Sequence, residues 1–254
     1  MAPLHALKPI VLGAFLLAGC GPDKPEGTAA SSATASARPS AEPVQAPARP
    51  KELGVQTVDP MGLLVGGERI KLGEAGGPEK LTKVVSEMNL SGKTVEVVAL
   101  KKAKASDVMA LVKAFGGAGV ASVKLRADGR EDLPRELELT PLARITNKLP
   151  PCTVVTMVNK DLATGVWAIV GGIGKKHTKG FAGPDLTNTG ETLKKDLEKC
   201  DSKVAFFAID ESLEWELAHN LGGAVRVADT TKKIEQLVLL EESPVSGRAV
   251  KGLP

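Results

Sequence analysis

The sequence predicts an α+β protein: two tandem ββαβαβ units, each a mixed sheet with helices on one face, behind a disordered tether. Three observations predict it. Glycine landmarks recur at near-constant spacing, β-branched runs alternate with stretches of helical periodicity, and the stretch 21–50 lacks the residues to build a core. Leu64-Val65-Gly66-Gly67 returns as Ile169-Val170-Gly171-Gly172, and Gly77-Pro78-Glu79 as Gly183-Pro184-Asp185. Phe115-Gly116-Gly117 returns as Leu221-Gly222-Gly223, and the apolar run 95–100 as 204–209. Each recurs roughly 105–109 residues later. These landmarks divide the folded part into a first repeat, 51–129, a connector, 130–151, and a second repeat, 152–254.

In the first repeat, 55–58 and 62–70 predict a short hairpin around Asp59-Pro60. Pro78 and Glu79 suit the first turn of a helix, because proline costs no needed donor there and an acid complements the helix dipole. Leu81, Val84, Val85 and Met88 then fall on one helical face, and Asn89 and Gly92 end it. The run 94–100 reads as a buried strand. Ser106 or Asp107 caps a second helix whose face is Val108, Leu111, Val112 and Phe115; Gly116-Gly117 stops it, and 121–125 closes the unit.

The second repeat keeps that order. A hairpin is expected at 153–158 and 165–170. Asn188 and Glu191 have capping-box spacing ahead of Leu193 and Leu197. A central strand follows at 203–209, then a helix lined by Leu213, Leu217 and Leu221, and a last strand at 234–240. The crossovers read as right-handed βαβ connections.

Ahead of the repeats, Lys8 and His5 precede an apolar run of about nine residues, 10–18. A membrane-spanning helix needs ~20 residues, so 1–19 reads as a signal peptide. The run ends in Leu17-Ala18-Gly19-Cys20, which resembles the lipobox of bacterial lipoproteins. That resemblance implies diacylglyceryl modification of Cys20, acylation (palmitate) of the new amine, and a location on the cell envelope facing the periplasm. Gly21 is not the Asp of an inner-membrane retention signal, so the outer membrane is expected over the inner. Residues 20–50, built of Ala, Ser, Pro, Gly and Thr with Val44 as the one large apolar side chain, are expected to form a disordered linker.

The order of elements resembles the periplasmic domain of the ExbD/TolR family of biopolymer-transport proteins. The residues that carry the likeness are Leu64-Val65-Gly66-Gly67, the helix from Pro78, the strand 95–100 and the helix-to-strand stretch from Met109 to Arg126. The likeness covers about 53–128 and, more weakly, 152–242. Family members usually have one such domain and a transmembrane helix bearing an Asp used in proton-driven coupling. This chain has two copies, a lipid anchor and no such Asp. The likeness implies an envelope interaction module, without extending to proton-motive coupling. Because family domains pair as dimers, it also implies that the two copies form an intramolecular pseudo-dimer.

Composition narrows the functions. Apolar residues make up 43%, so a core is affordable, but aromatics are 3% and Tyr is absent, which disfavours stacking platforms for bases. A net charge of +3 is too balanced to argue for nucleic acid. His177 lies in a loop and His219 beside Leu217 and Leu221 on a helix, where a surface or partly buried role is expected. Gly174-Lys175 fails the phosphate-loop pattern, which needs Gly where Ile169 stands and Ser or Thr where Lys176 stands. The acid pairs Glu131-Asp132 and Glu241-Glu242 read as solvated surface. Catalytic residues, metal ligands and cofactors are therefore expected to be none.

Cys152 and Cys200 remain once Cys20 is lipidated, and the envelope permits a disulfide. Against it, Cys200 ends a helix taken to run parallel to the strand that follows Cys152, which would put the pair at opposite ends, so two buried thiols are favoured. Lys101, Lys102, Lys104 and Lys175, Lys176, Lys179 form two basic clusters, either a solubilising rim or a contact for acidic envelope material. The leading expectation is a lipid-anchored scaffold or adaptor that binds an envelope protein or peptidoglycan, linked to an ExbD/TolR-type transport complex. The alternatives are a periplasmic cell-wall-modifying enzyme and a small-ligand binding protein, the latter favoured by a large apolar pocket between the units.

Overall fold

The computed structural model describes residues 54–175 and 185–254. Over those residues the protein is α+β, with two mixed sheets and four helices. The first sheet contains β1 (Gln56–Asp59), β2 (Gly62–Val65), β3 (Glu68–Ile70), β4 (Thr94–Ala99), β5 (Ser122–Arg126) and β6 (Glu136–Leu139), in the order β3-β2-β1-β4-β5-β6. Helices α1 (Gly77–Glu87) and α2 (Ala105–Gly117) flank β4 in the chain. The second sheet contains β7 (Cys152–Val158), β8 (Thr164–Val170), β9 (Ile173–Lys175), β10 (Val204–Ile209) and β11 (Gln236–Leu239), in the order β11-β10-β7-β8-β9. Helices α3 (Leu186–Lys199) and α4 (Trp215–Ala228) flank β10.

Read from the outer hairpin inward, the two sheets have one strand order, and each places its central strand parallel to its neighbours. Each unit is βββαβαβ rather than ββαβαβ. The extra strand comes from the glycine pairs. Gly66 and Gly67 have φ of 58° and 82°, and Gly171 and Gly172 have 58° and 79°. Two successive positive φ values make the tight turn that matches strand twist, so each pair folds a hairpin, β2–β3 and β8–β9.

Other boundaries shift for local reasons. Helix α1 buries Leu81, Val84 and Val85 as its periodicity requires, and Asn89 ends it in the left-handed region at φ 52°. Helix α2 starts before Ser106, with Lys104 at the N-cap, and runs through Gly116 and Gly117 to a left-handed Gly119. Helix α3 is capped by Asp185, whose carboxylate accepts from the Asn188 N–H at 3.0 Å, rather than by Asn188. Residues 130–151 are more than a connector. Their Glu-Leu-Glu-Leu run pairs antiparallel with β5 as the edge strand β6, and Leu142–Arg144 forms a 3-10 turn.

The landmark at Gly116-Gly117 and Gly222-Gly223 does not hold. Helices α2 and α4 start at equivalent residues, Ala105 and Trp215, each after an N-cap in extended conformation. On that alignment Gly222 lies about a turn earlier in its helix than Gly116 does. Gly116 faces Pro141 and Ala143, whereas Gly222 faces Leu137 and Phe207. The two glycine pairs serve different contacts.

The units are joined at the starts of α2 and α4. The Ala105 N–H donates to the Leu213 carbonyl at 2.9 Å, and the Trp215 N–H donates to the Ala103 carbonyl at 2.8 Å, around an antiparallel bridge of Lys104 with Glu214. One core cluster spans both units, from Leu63 and Phe115 to Trp215 and Leu237. A second cluster lies on the other face of the second sheet, where Leu142, Leu149, Val250 and Leu253 cover Val155, Phe206 and Val238.

Arg226 of α4 ties the sheet edges together. Its guanidinium donates to the Ile234 carbonyl at 2.6 Å and the Glu138 carbonyl at 3.3 Å, beside a Thr140 N–H bond to the Leu237 carbonyl at 2.9 Å. Replacing Arg226 by Met keeps an apolar stem but leaves both carbonyls without that donor. The expected loss is about 2 kcal/mol, read as a lower urea midpoint at unchanged slope.

Candidate functional site

A groove of about 670 Å³ lies on the outer side of α1 and α2. Leu72 and Leu81 line one wall, and Met109, Ala110, Val112 and Ala114 the other. Pro141, Leu142 and Ala143 of the 3-10 turn and Leu239 and Leu240 at the end of β11 complete it, so both units and the segment between them contribute. The polar groups sit on the rim: Thr82, Ser86, and Lys113 paired with Glu241 at 2.6 Å. Small-molecule sites commonly occupy ~300–1,000 Å³ and are mostly apolar, so size and lining both suit binding.

The groove exists because α2 is apolar on two faces. Val108, Leu111, Val112 and Phe115 go into the core, while Met109, Ala110 and Ala114 on the other side stay half-exposed. A helix apolar beyond one stripe signals a second contact. That signal stands in the sequence from Met109 to Ala118, alongside the core stripe. A smaller cavity of about 350 Å³ lies at the matching place between α3 and α4, with Arg130, Asp132, Glu191 and Lys194 among its lining.

Four of the six lysines expected as contact residues lie among the described residues. Lys101, Lys102 and Lys104 are exposed at the start of α2, against the acidic 211–216 stretch of the second unit. Lys101 pairs with Glu216 at 3.8 Å, and Lys104 bridges Glu214 through the backbone. Their charge is met in part within the chain. Lys175 ends β9 at the outer edge of the other sheet. Cys20, Lys176, Lys179 and His177 lie outside the described residues. Glu241 and Glu242 are each paired, with Lys113 and Lys251.

The topological argument against the Cys152–Cys200 pair fails. Their Cα atoms are 5.1 Å apart and the two are joined as a disulfide. A helix that feeds a parallel strand runs opposite to it. Helix α3 therefore descends toward the start of β10, which lies beside the start of β7, where Cys152 stands. With a sequence separation of 48, the bond is worth about 4 kcal/mol in the loop-entropy account. The Lys233 ammonium donates to the Cys200 carbonyl at 2.8 Å and also to the Leu197 carbonyl, closing the end of α3.

His219 is fully buried, not at the surface. It stands edge-on to Trp215 with ring centroids 6.4 Å apart, and neither imidazole nitrogen finds a hydrogen-bond partner in normal geometry. Gly129 passes so close that a Cβ there would lie 3.3 Å from Nδ1. Burial pushes its pKa below the ordinary 6.5, with the backbone of Arg135 and Leu125 acting the other way.

Among the described residues, no group of three or more His, Cys, Asp or Glu side chains could hold a metal ion, and no helix is long and apolar enough to cross a membrane. Comparison with protein-family models, curated proteins and solved structures finds no match to this chain.

The imidazole generates a pH prediction. The unfolded chain takes up a proton as pH falls through about 6.5, while the folded site resists it. This contribution to stability is complete above that pH and declines below it, until the folded site also protonates. In His219→Met, which copies Met109 at the equivalent place in α2, thermal unfolding midpoints between pH 7 and pH 5 should fall less than in the parent chain.

Proposed function

We propose that this protein is a lipid-anchored, periplasm-facing adaptor or scaffold of the cell envelope, held at the membrane through Cys20. Its outer-membrane placement rests on Gly21, and the lipobox-like Leu17-Ala18-Gly19-Cys20 supports the anchor. The observation that carries the binding role is the groove beside α1 and α2, an uncovered space of about 670 Å³ with aliphatic walls. Its partner is an envelope protein or cell-wall component, and the ExbD/TolR likeness puts transport complexes first among the candidates. The reciprocal bonds between Ala103–Ala105 and Leu213–Trp215 support reading the two units as an intramolecular pseudo-dimer.

A second reading, small-ligand binding, is favoured by the size and apolar lining of the same groove and by its being shared between the units. The readings separate by what is captured: a polypeptide crosslink, or a small apolar molecule released on denaturation.

Two outcomes test the proposal. Cys20→Ser should move the chain from the membrane fraction to the soluble fraction; unchanged processing and fractionation would remove the anchor. In-cell crosslinking followed by mass spectrometry should identify a partner whose yield drops at least tenfold in Ala114→Glu. Thr94→Glu, on the solvated sheet face, should leave the yield unchanged. Equal capture by all three chains would exclude the groove as the docking surface.

A further inference from the structure

The two sheets share a strand order but differ at their outer edges. In the first, β3 carries Glu68 and Arg69, paired with Lys80 at 3.3 Å and Asp59 at 2.7 Å. A short edge strand with charged side chains deters pairing with another chain. In the second, the middle residue of β9 is Gly174, where β3 has Arg69. With no side chain in the way, the C-terminal segment lies along this edge. The Gly174 N–H donates to the Arg248 carbonyl at 3.1 Å, the Gly247 N–H to the Gly174 carbonyl at 2.9 Å, and the Val250 N–H to the Gly172 carbonyl at 2.9 Å. Ile173 and Ala249 pair as an antiparallel bridge. Gly247, at φ 75°, lets two residues oppose Gly174, the geometry of a glycine-headed bulge. A Cβ on Gly174 would lie 3.3 Å from the Val245 carbonyl oxygen, a tight contact that the added strand would have to relieve by a shift of a few tenths of an ångström.

The added strand is lightly held. From 245 to 254 the one buried side chain is Val250, with Leu253 half-buried in the second core; 246–249 are exposed. The segment carries no helix or strand of the two sheets, so its release would free the outer edge of β9 and empty the seats of Val250 and Leu253 while leaving every other element paired. What would be uncovered is an ordered row of backbone groups, from Gly172 to Gly174, beside an apolar seat.

We propose that the β9 edge is a strand-accepting interaction site, closed in cis by the C-terminal segment and opened when an extended segment of a partner polypeptide displaces it. The cis occupant defines the chemistry of the partner: a small residue against Gly174, then a β-branched apolar residue at the seat of Val250. Backbone bonds supply the affinity and that one seat supplies selectivity, as in strand addition to a sheet edge. This inference rests on the adaptor reading and names the kind of partner it takes.

The test uses the full chain carrying Cys20→Ser and a labelled peptide of residues 245–254, Val-Ser-Gly-Arg-Ala-Val-Lys-Gly-Leu-Pro. In a second chain, Ile173→Cys and Ala249→Cys are oxidised to lock the segment in place. By fluorescence anisotropy the peptide should bind the unlocked chain. Locking should weaken it at least tenfold, as should Asp in place of Val250 in the peptide. Equal affinity for locked and unlocked chains, or no binding to the unlocked chain, overturns the proposal. Failure of the two cysteines to join in a chain with unchanged tryptophan fluorescence overturns the cis contact itself. A concentration-dependent dimer abolished by the lock would give the edge to a second copy and likewise overturn it. If the locked chain still captures its partner in cells at the parent level, the strand site fails while the adaptor reading stands.

Discussion

The first N–H groups of a helix have no acceptor within the helix, and how α2 and α4 meet that constraint governs the rest of the molecule. Neither has a side-chain cap; their N-cap residues are Lys104 and Glu214, types poorly suited to accept the orphan donors. Each helix instead bonds to the loop before the other: Ala105 to Leu213, Trp215 to Ala103, and Glu216 to Lys101 at 3.1 Å. Separating the units would leave both helix starts with only water as acceptor and would expose Trp215, fully buried where α2 has only Ala105. The units therefore complete one another through backbone groups that only a substitution by proline would remove.

From that junction outward the two units diverge, and their strands record it. The central strand of the first sheet, Thr94–Ala99, alternates buried and exposed, because one face carries Glu96, Lys124 and Glu138 into solvent. Its counterpart, Val204–Ile209, is buried at every position. The difference follows from coverage. Helices lie on one face of each sheet, but the segment from 142 to 149 and the C-terminal residues cover the other face of the second sheet alone. A strand buried on both sides reads as a continuous apolar run, and a half-buried one alternates.

The same physics explains how much was legible in the sequence. Long periodic segments were: Leu81, Val84 and Val85 placed α1, and the apolar runs placed β4 and β10. Short elements were not. β3 and β9 have three residues each, too few for a period, and showed themselves only as two glycines that must both take positive φ. Glu136–Leu139 does alternate, but without a turn signal tying it to β5 it read as part of a connector. The cysteine pair depends on helix direction, a tertiary fact that follows from the parallel pairing of β7 with β10 and is not written in the local sequence. Of the candidate contacts, the lysines were visible as charge, but not the acids of 211–216 that the fold sets against them. The groove stood in the second apolar face of α2, which mattered only once α1 and the 140s gave it walls.

The position of the groove links binding to the junction. Met109 and Ala114 belong to the helix whose start is completed by the second unit, and Leu239, Leu240 and Glu241 belong to that unit itself. An occupant that touches both walls binds the paired arrangement better than any in which the units have parted. By linkage it stabilises the pairing to the extent that it prefers it. The Lys113–Glu241 pair on the rim, exposed on both sides, contributes little energy to this coupling. The aliphatic walls carry it, because their area leaves water only when both units are in place. In the adaptor reading proposed above, a binding surface completed by internal pairing couples occupancy to fold through the same apolar contact.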